Sequence, residues 1–145
     1  MRLTRAGEYA VRCILYIYKQ GTGKVVSKRD IAAQMDIPEQ FLGKVAQQLS
    51  RQGFLEILQG KKGGYRVNIH PDQLTLLDVV EAMDGEIFLN DCLVPSEACF
   101  REDSCAVHLI WKRARERLRE TLREADFATL LHEENCLLRE LQKKD

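Results

Sequence analysis

Three thiols and an imidazole stand close together in the stretch DCLVPSEACFREDSCAVHLIWKR: Cys92, Cys99, Cys105 and His108. Thiolates and imidazoles ligate zinc and iron–sulfur clusters, so metal chemistry is the first candidate. Structural zinc sites usually gather their cysteines in close pairs, roughly two to four residues apart. Here six and five residues separate the cysteines, and two more lead to His108. A wide loop of this kind suits a larger inorganic object, with a structural zinc as the alternative. Cys105 and His108 fall one turn apart at a helix start, where both can face one point and where the helix dipole favours thiolate charge. Glu8, an acidic residue in the first helix that a dimer partner could present, competes with His108 as a fourth ligand. Cys13 and Cys136 lie among apolar residues and read as buried, inert thiols. A redox enzyme would need a substrate pocket with a positioned acid, base or nucleophile. No such constellation occurs, and no catalysis is expected.

The cysteine loop runs into VHLIWKRARERLRETLREA. Val107, Ile110, Trp111, Ala114, Leu118, Leu122 and Ala125 recur there at helical intervals as one narrow stripe. Glu116 with Arg119 and Glu120 with Arg123 are spaced as i,i+3 ion pairs, each worth about 0.2–0.5 kcal/mol. A long charged helix with so narrow a seam calls for another helix along it, and a symmetric dimer is the expectation. The tail from Phe127 reads as one or two short helices. Upstream, LTLLDVVEAMDG predicts a packing helix capped by Thr75 and ended by Gly85, with Leu76, Val79, Val80 and Met83 buried.

The charge of the first half points to a polyanionic partner, with an uneven surface charge as the alternative. Residues 1–70 carry 12 Lys and Arg against 5 Asp and Glu, whereas residues 71–145 carry 10 against 17. The net charge of zero thus hides a basic half suited to a polyanion and an acidic half that avoids it. Thr4 predicts the cap of a first helix that buries Tyr9, Ala10, Cys13, Ile14 and Ile17 and ends at Gly21 and Gly23. Ser27 with Asp30 is spaced as a capping box for a short second helix with Ile31, Ala32 and Met35 inside. Pro38 suits the first position of a third helix. On that helix Phe41, Leu42, Val45 and Leu49 point one way, and Gln40, Lys44, Gln47 and Arg51 point the other. Amides and cations are the groups that pair with base edges and phosphates. Gly43, on the exposed side, leaves room for close approach of a DNA backbone. FLEILQGKKGGYRVNIH then reads as a hairpin whose glycine-rich tip carries Lys61 and Lys62, a wing for phosphates or a minor groove. The spacing of a nucleotide-binding phosphate loop is absent.

At 145 residues the chain can bury a core without disulfides. No apolar run approaches the roughly 18 residues of a membrane span. The N-terminus lacks a secretory apolar stretch, so a cytoplasmic location with no membrane partner is expected.

Together these segments resemble the Rrf2 family of bacterial winged-helix transcription regulators. The match is carried by MRLTRAGEYAVR, DIAAQMDIPEQFLGKV, GKKGGYRV, LLDVVEAMDG, the cysteine loop and HLIW. The resemblance implies a mainly α fold with a small β wing. A winged helix-turn-helix DNA-binding domain with its packing helix would span residues 1–85, and residues 86–145 would supply the cysteine loop, dimerisation helix and tail. It implies a homodimer on double-stranded DNA, a repressor controlled by an iron–sulfur cluster that senses iron–sulfur status, redox state or nitric oxide. By the same resemblance Gln40, Gly43 and Lys44 occupy recognition-helix positions and Gln59, Gly60, Lys61 and Lys62 lie in the wing; Ser27, Lys28, Gln47 and Arg51 complete the expected DNA-binding set. Cys92, Cys99 and Cys105 match the cluster cysteines. His108 matches the fourth ligand of a 2Fe–2S branch, and Glu8 matches that of a 4Fe–4S branch. Other members lack a cluster and respond through a thiol or a partner protein. Two features depart from the pattern: Gln59 stands where many members carry an arginine, and the first cysteine interval is one residue longer than in the two cluster branches.

Overall fold

The computed structural model describes residues 3–95, 97 and 99–144. Six helices and one two-stranded antiparallel sheet follow in the order α1 (Arg5–Gln20), α2 (Lys28–Met35), α3 (Glu39–Arg51), β1 (Glu56–Leu58), β2 (Gly64–Arg66), α4 (Leu76–Asp84), α5 (Ala106–Glu124) and α6 (Phe127–Gln142). Helix α1 is the centre of the core. Its apolar stripe of Tyr9, Ala10, Cys13, Ile14 and Ile17 is buried as its periodicity requires. Thr4 caps it by accepting from the Gly7 amide, and Gly21 ends it at a φ of 122°. Burial pushes the Cys13 thiol up to about 12, so this cysteine stays protonated and inert.

Helices α2 and α3 pack on α1 and on each other. Only half of the expected capping box forms: Ser27 accepts from the Asp30 amide, without the reciprocal contact. Pro38 is the N-cap of α3 rather than its first turn, at φ −58° and ψ 129°. Leu42, Val45 and Leu49 are buried as expected, but Phe41 is 55% exposed and sets its ring edge against Tyr9, 6.3 Å away. Ala46 is fully buried and joins the core instead. The hairpin pairs Glu56 with Arg66, Ile57 with Tyr65 and Leu58 with Gly64. At Gly64 a Cβ would strike the Val26 carbonyl, which pairs with Tyr65 in a further bridge, so only glycine lets the wing close against the start of α2. Gly60 turns the tip at φ +97°.

Helix α4 has a full capping box, Thr75 with Asp78. Its buried residues are Leu77, Val79 and Val80, whereas Leu76 and Met83 are only half-buried. The helix is two-sided: Val79 joins the main core, while Leu77 and Val80 form a second cluster with Ile87, against which Leu118 and Leu122 of α5 pack. The expected i,i+3 pairing of Arg119 with Glu116 gives way to a bidentate bond to Glu81 of α4, at 2.8 and 2.9 Å. Arg115 donates to the Ile87 carbonyl at 2.6 Å and pairs with Glu86. Partial burial of Glu81 opposes its ionisation, yet the Arg119 hydrogen bond, the Ile87 amide and the two guanidinium charges outweigh it and hold the carboxyl below its usual range. A depressed folded-state value means that this stabilisation is present above the ordinary carboxylate range and lost only as pH falls through the lowered one. Arg119→Ala is expected to cost about 1.5–3 kcal/mol, the range for charge-assisted hydrogen bonds, read as a lower midpoint in urea.

The tail is one helix rather than two. It starts with Phe127, fully buried against Tyr18 at 5.5 Å between ring centroids. The segments entering α4 and α6 pair through Leu76 N to Ala125 O and Phe127 N to Leu74 O, at 2.8 and 3.0 Å. Lys19 meets Glu134 at 2.7 Å. The chain therefore returns from α5 to the core built around α1.

Candidate DNA interface and cysteine loop

The polar stripe of α3 emerges as its spacing requires: Gln40, Lys44, Gln47 and Arg51 are all exposed. Gln59, Gly60, Lys61 and Lys62 are exposed at the wing tip. Between them runs a cleft of about 380 Å³, where Lys28, Gly43, Gln47, Gln59 and Gly60 meet. Lys28 reaches across Gly43, where a Cβ would stand 3.1 Å from its Nζ. Gly43 is thus half-buried beneath a lysine, and its missing side chain gives that ammonium group its place in the cleft. Ser27 is occupied as the α2 cap. Helix α2, helix α3 and the wing together present cations and amides over one concave face, the arrangement a phosphate backbone and a groove require.

Gln48 escapes the sequence reading. It sits on the inward side of α3 and donates to the Ala82 and Met83 carbonyls at the end of α4, at 2.9 and 3.1 Å. A polar residue beside buried Val45 and Leu49 is the signal that marks it. Glu81 and Arg119 were hidden for another reason: the two partners are 38 residues apart in sequence.

In the cysteine loop, Cys92 lies in a short 3-10 turn, Asp91–Leu93, and Cys105 is the N-cap of α5. Cys92, Cys99 and Cys105 are free and half-buried. His108, in the first turn of α5, is 7% exposed, the one buried polar residue among those described. Its Nε2 lies 3.4 Å from Glu102, and its Nδ1 has no partner among the described residues. Cys92 and His108 line a common cleft of about 240 Å³ with Glu102 and Arg115. Cys99 and Cys105 do not line it, and no group of three or more potential ligands converges among the described residues. Glu8 is exposed in a separate cleft with Arg5, Arg12 and Asp36. The donor set fits an iron–sulfur cluster in kind: three accessible thiols, one at a helix N-terminus, and an imidazole nitrogen without a partner.

Most of the exposed large apolar residues gather on α5 and α6. Val107, Leu109, Ile110 and Trp111 are 42–61% exposed on α5, and Leu137, Leu138 and Leu141 are 50–61% exposed on α6. Among the described residues no helix is long and apolar enough to cross a membrane.

Comparison with known proteins agrees with this geometry. The Rrf2 family, described as an iron-dependent transcriptional regulator, matches residues 3–133. The HTH-type transcriptional regulator NsrR of Geobacillus kaustophilus is 28% identical over 145 residues, covering 99% of this chain and 98% of that protein. The regulator IscR of Erwinia tasmaniensis is 26% identical over 138 residues, covering 95% and 83%. The fold matches CymR, the global cysteine regulator of B. subtilis, with a TM-score of 0.73 at 24% identity, covering 91% of this chain and 97% of that one. The chain belongs to the Rrf2 family of winged-helix, DNA-binding transcriptional regulators and not to a class of enzymes.

Proposed function

We propose that this regulator is a homodimeric repressor whose operator affinity is set by an iron–sulfur cluster held by Cys92, Cys99, Cys105 and His108. The observation that carries the reading is His108: a buried imidazole, one nitrogen unpartnered, in the same cleft as Cys92. A buried polar group without a partner costs about 1–3 kcal/mol, a cost that metal ligation removes. A 2Fe–2S centre is favoured because His108 shares the Cys92 cleft within one chain, whereas Glu8, the alternative fourth ligand for 4Fe–4S, lines a different cleft and would have to come from the second copy. Once bound, such a centre supplies a group that oxidation, nitric oxide or iron shortage can dismantle.

The chain's own residues supply the transmission. Cys105 stands at the N-cap position of α5, so ligation there fixes the start of that helix. Arg115 and Arg119 tie α5 to Glu86, Ile87 and Glu81, and Gln48 ties the end of α4 to the recognition helix α3. Lys28, Gln40, Gly43, Lys44, Gln47 and Arg51 meet the duplex, joined by Gln59, Gly60, Lys61 and Lys62 of the wing. The exposed apolar residues at the start of α5 provide the seam for the second copy. Residues 1–85 act as the DNA-binding unit, and residues 86–145 as the sensing and dimerising segment.

Anaerobic purification tests this reading. Brown protein with iron and acid-labile sulfide in near-equal amounts is expected, and His108→Ala or Cys92→Ala should lose both. Stripping the cluster should change operator affinity by about 5- to 150-fold, a coupling of about 1–3 kcal/mol. Equal affinity with and without the cluster removes the switch. Colourless protein holding one zinc per chain that Cys92→Ala removes establishes the structural-zinc alternative. A second reading, a cluster-free regulator responding through a thiol or a partner protein, is favoured by one observation: Cys99 and Cys105 stand apart from the Cys92–His108 cleft as accessible thiols. It predicts metal-free protein whose DNA binding changes on thiol oxidation.

A further inference from the structure

Helix α6 carries a second cysteine–histidine pair, remote in sequence from the loop. In HEENC, His132 and Cys136 are four residues apart and therefore share one face of the helix. The spacing is that of the two histidines in the zinc-binding helical motif H-E-x-x-H, with cysteine in the second place. His132 Nε2 and Cys136 Sγ stand 3.7 Å apart. Two ligands on one tetrahedral ion, at about 2.0–2.1 Å for nitrogen and about 2.3 Å for sulfur, are about 3.6 Å apart. The two atoms, in hydrogen-bond contact, are thus separated by about the length of one edge of a coordination tetrahedron.

We propose that His132 and Cys136 form a half-site for a borderline-soft divalent cation such as zinc, with water completing the coordination sphere. Binding forms one metal–nitrogen and one metal–sulfur bond, and the thiol proton passes to solvent. The expectation of a buried Cys136 does not hold: it is half-buried beside an exposed His132, and the pair is open to a hydrated ion. Cys13 shows the contrast, since its full burial withholds the thiolate. The surroundings favour a cation. Glu133 and Glu140 are exposed nearby, Glu134 is engaged by Lys19, and Arg139 is the opposing charge on this stretch of the helix. Phe127 and the Lys19–Glu134 pair anchor α6 to α1, so the helix presents both ligands without having to fold around the metal. The site is independent of the proposed cluster.

Cobalt(II) is the probe, because thiolate ligation gives it a near-ultraviolet charge-transfer absorption. The full chain with Cys92, Cys99 and Cys105 all changed to Ser should take up one cobalt per chain with that absorption. Adding His132→Ala or Cys136→Ser should weaken uptake more than about tenfold, since loss of a direct ligand costs at least as much as loss of its outer-shell support. In the wild-type chain, Cys136→Ser should remove one equivalent of thiolate-bound cobalt while leaving iron and sulfide in the reconstituted protein unchanged. That second measurement keeps the test independent of whether the triple variant folds and of whether the cluster exists. Cobalt uptake indifferent to both substitutions would overturn the proposal.

Discussion

Phe127→Ala is expected to lower folding stability by about 3–5 kcal/mol, the range for truncating a large buried aromatic. The side chain is fully buried and packs on Tyr18, whose hydroxyl donates to the Ile69 carbonyl at 3.0 Å. Removing the ring opens a cavity beneath the first turn of α6 and loosens the paired segments that enter α4 and α6. The loss is a large share of the roughly 5–15 kcal/mol typical of a domain, so the midpoint in urea should fall sharply. A change below about 1 kcal/mol would mean that α6 does not dock on α1 in solution. Phe127→Leu, which retains most of the apolar volume, should recover much of the stability.

Lys61→Ala combined with Lys62→Ala should weaken binding to every DNA sequence. Each phosphate neutralised contributes about 0.9 to the slope of log affinity against log salt, equivalent to about eightfold in affinity at 0.1 M salt. Without the two lysine charges, binding should weaken about 60-fold per protomer and the salt dependence should flatten by about two units. Both lysines are exposed at a turn closed by Gly60, away from the core, so stability should be unaffected. Gln40 and Lys44, on the exposed face of α3, provide the control: their substitution should change sequence preference at nearly constant salt slope. Binding that keeps its slope after the double lysine change would place the wing off the DNA.

The helices up to α4 were legible because their signals are local. Thr4, Ser27 and Thr75 each bond an amide three residues on, and the stripe of α1 repeats within a turn. The wing was legible from its glycines. Phe41 was misread because periodicity marks which face an apolar residue occupies, and this one lies at the border of the buried face, more than half exposed beside the Tyr9 ring. Cys136 was misread in the same way: apolar neighbours at 137 and 138 suggested burial, yet those leucines are themselves exposed.

The amino-acid order by itself determined which helices form, which face of α3 is polar, where the hairpin turns and which side chains can ligate metal. Each follows from interactions spanning a few residues, which the chain makes wherever it folds. Only the tertiary structure decided that His108 is buried with a free nitrogen, that Arg119 leaves Glu116 for Glu81, and that Gln48 holds the end of α4. Those outcomes depend on how far apart two helices come to rest. A charge has several partners within reach along its own helix, and packing alone selects the one across the gap that is dry enough to favour it.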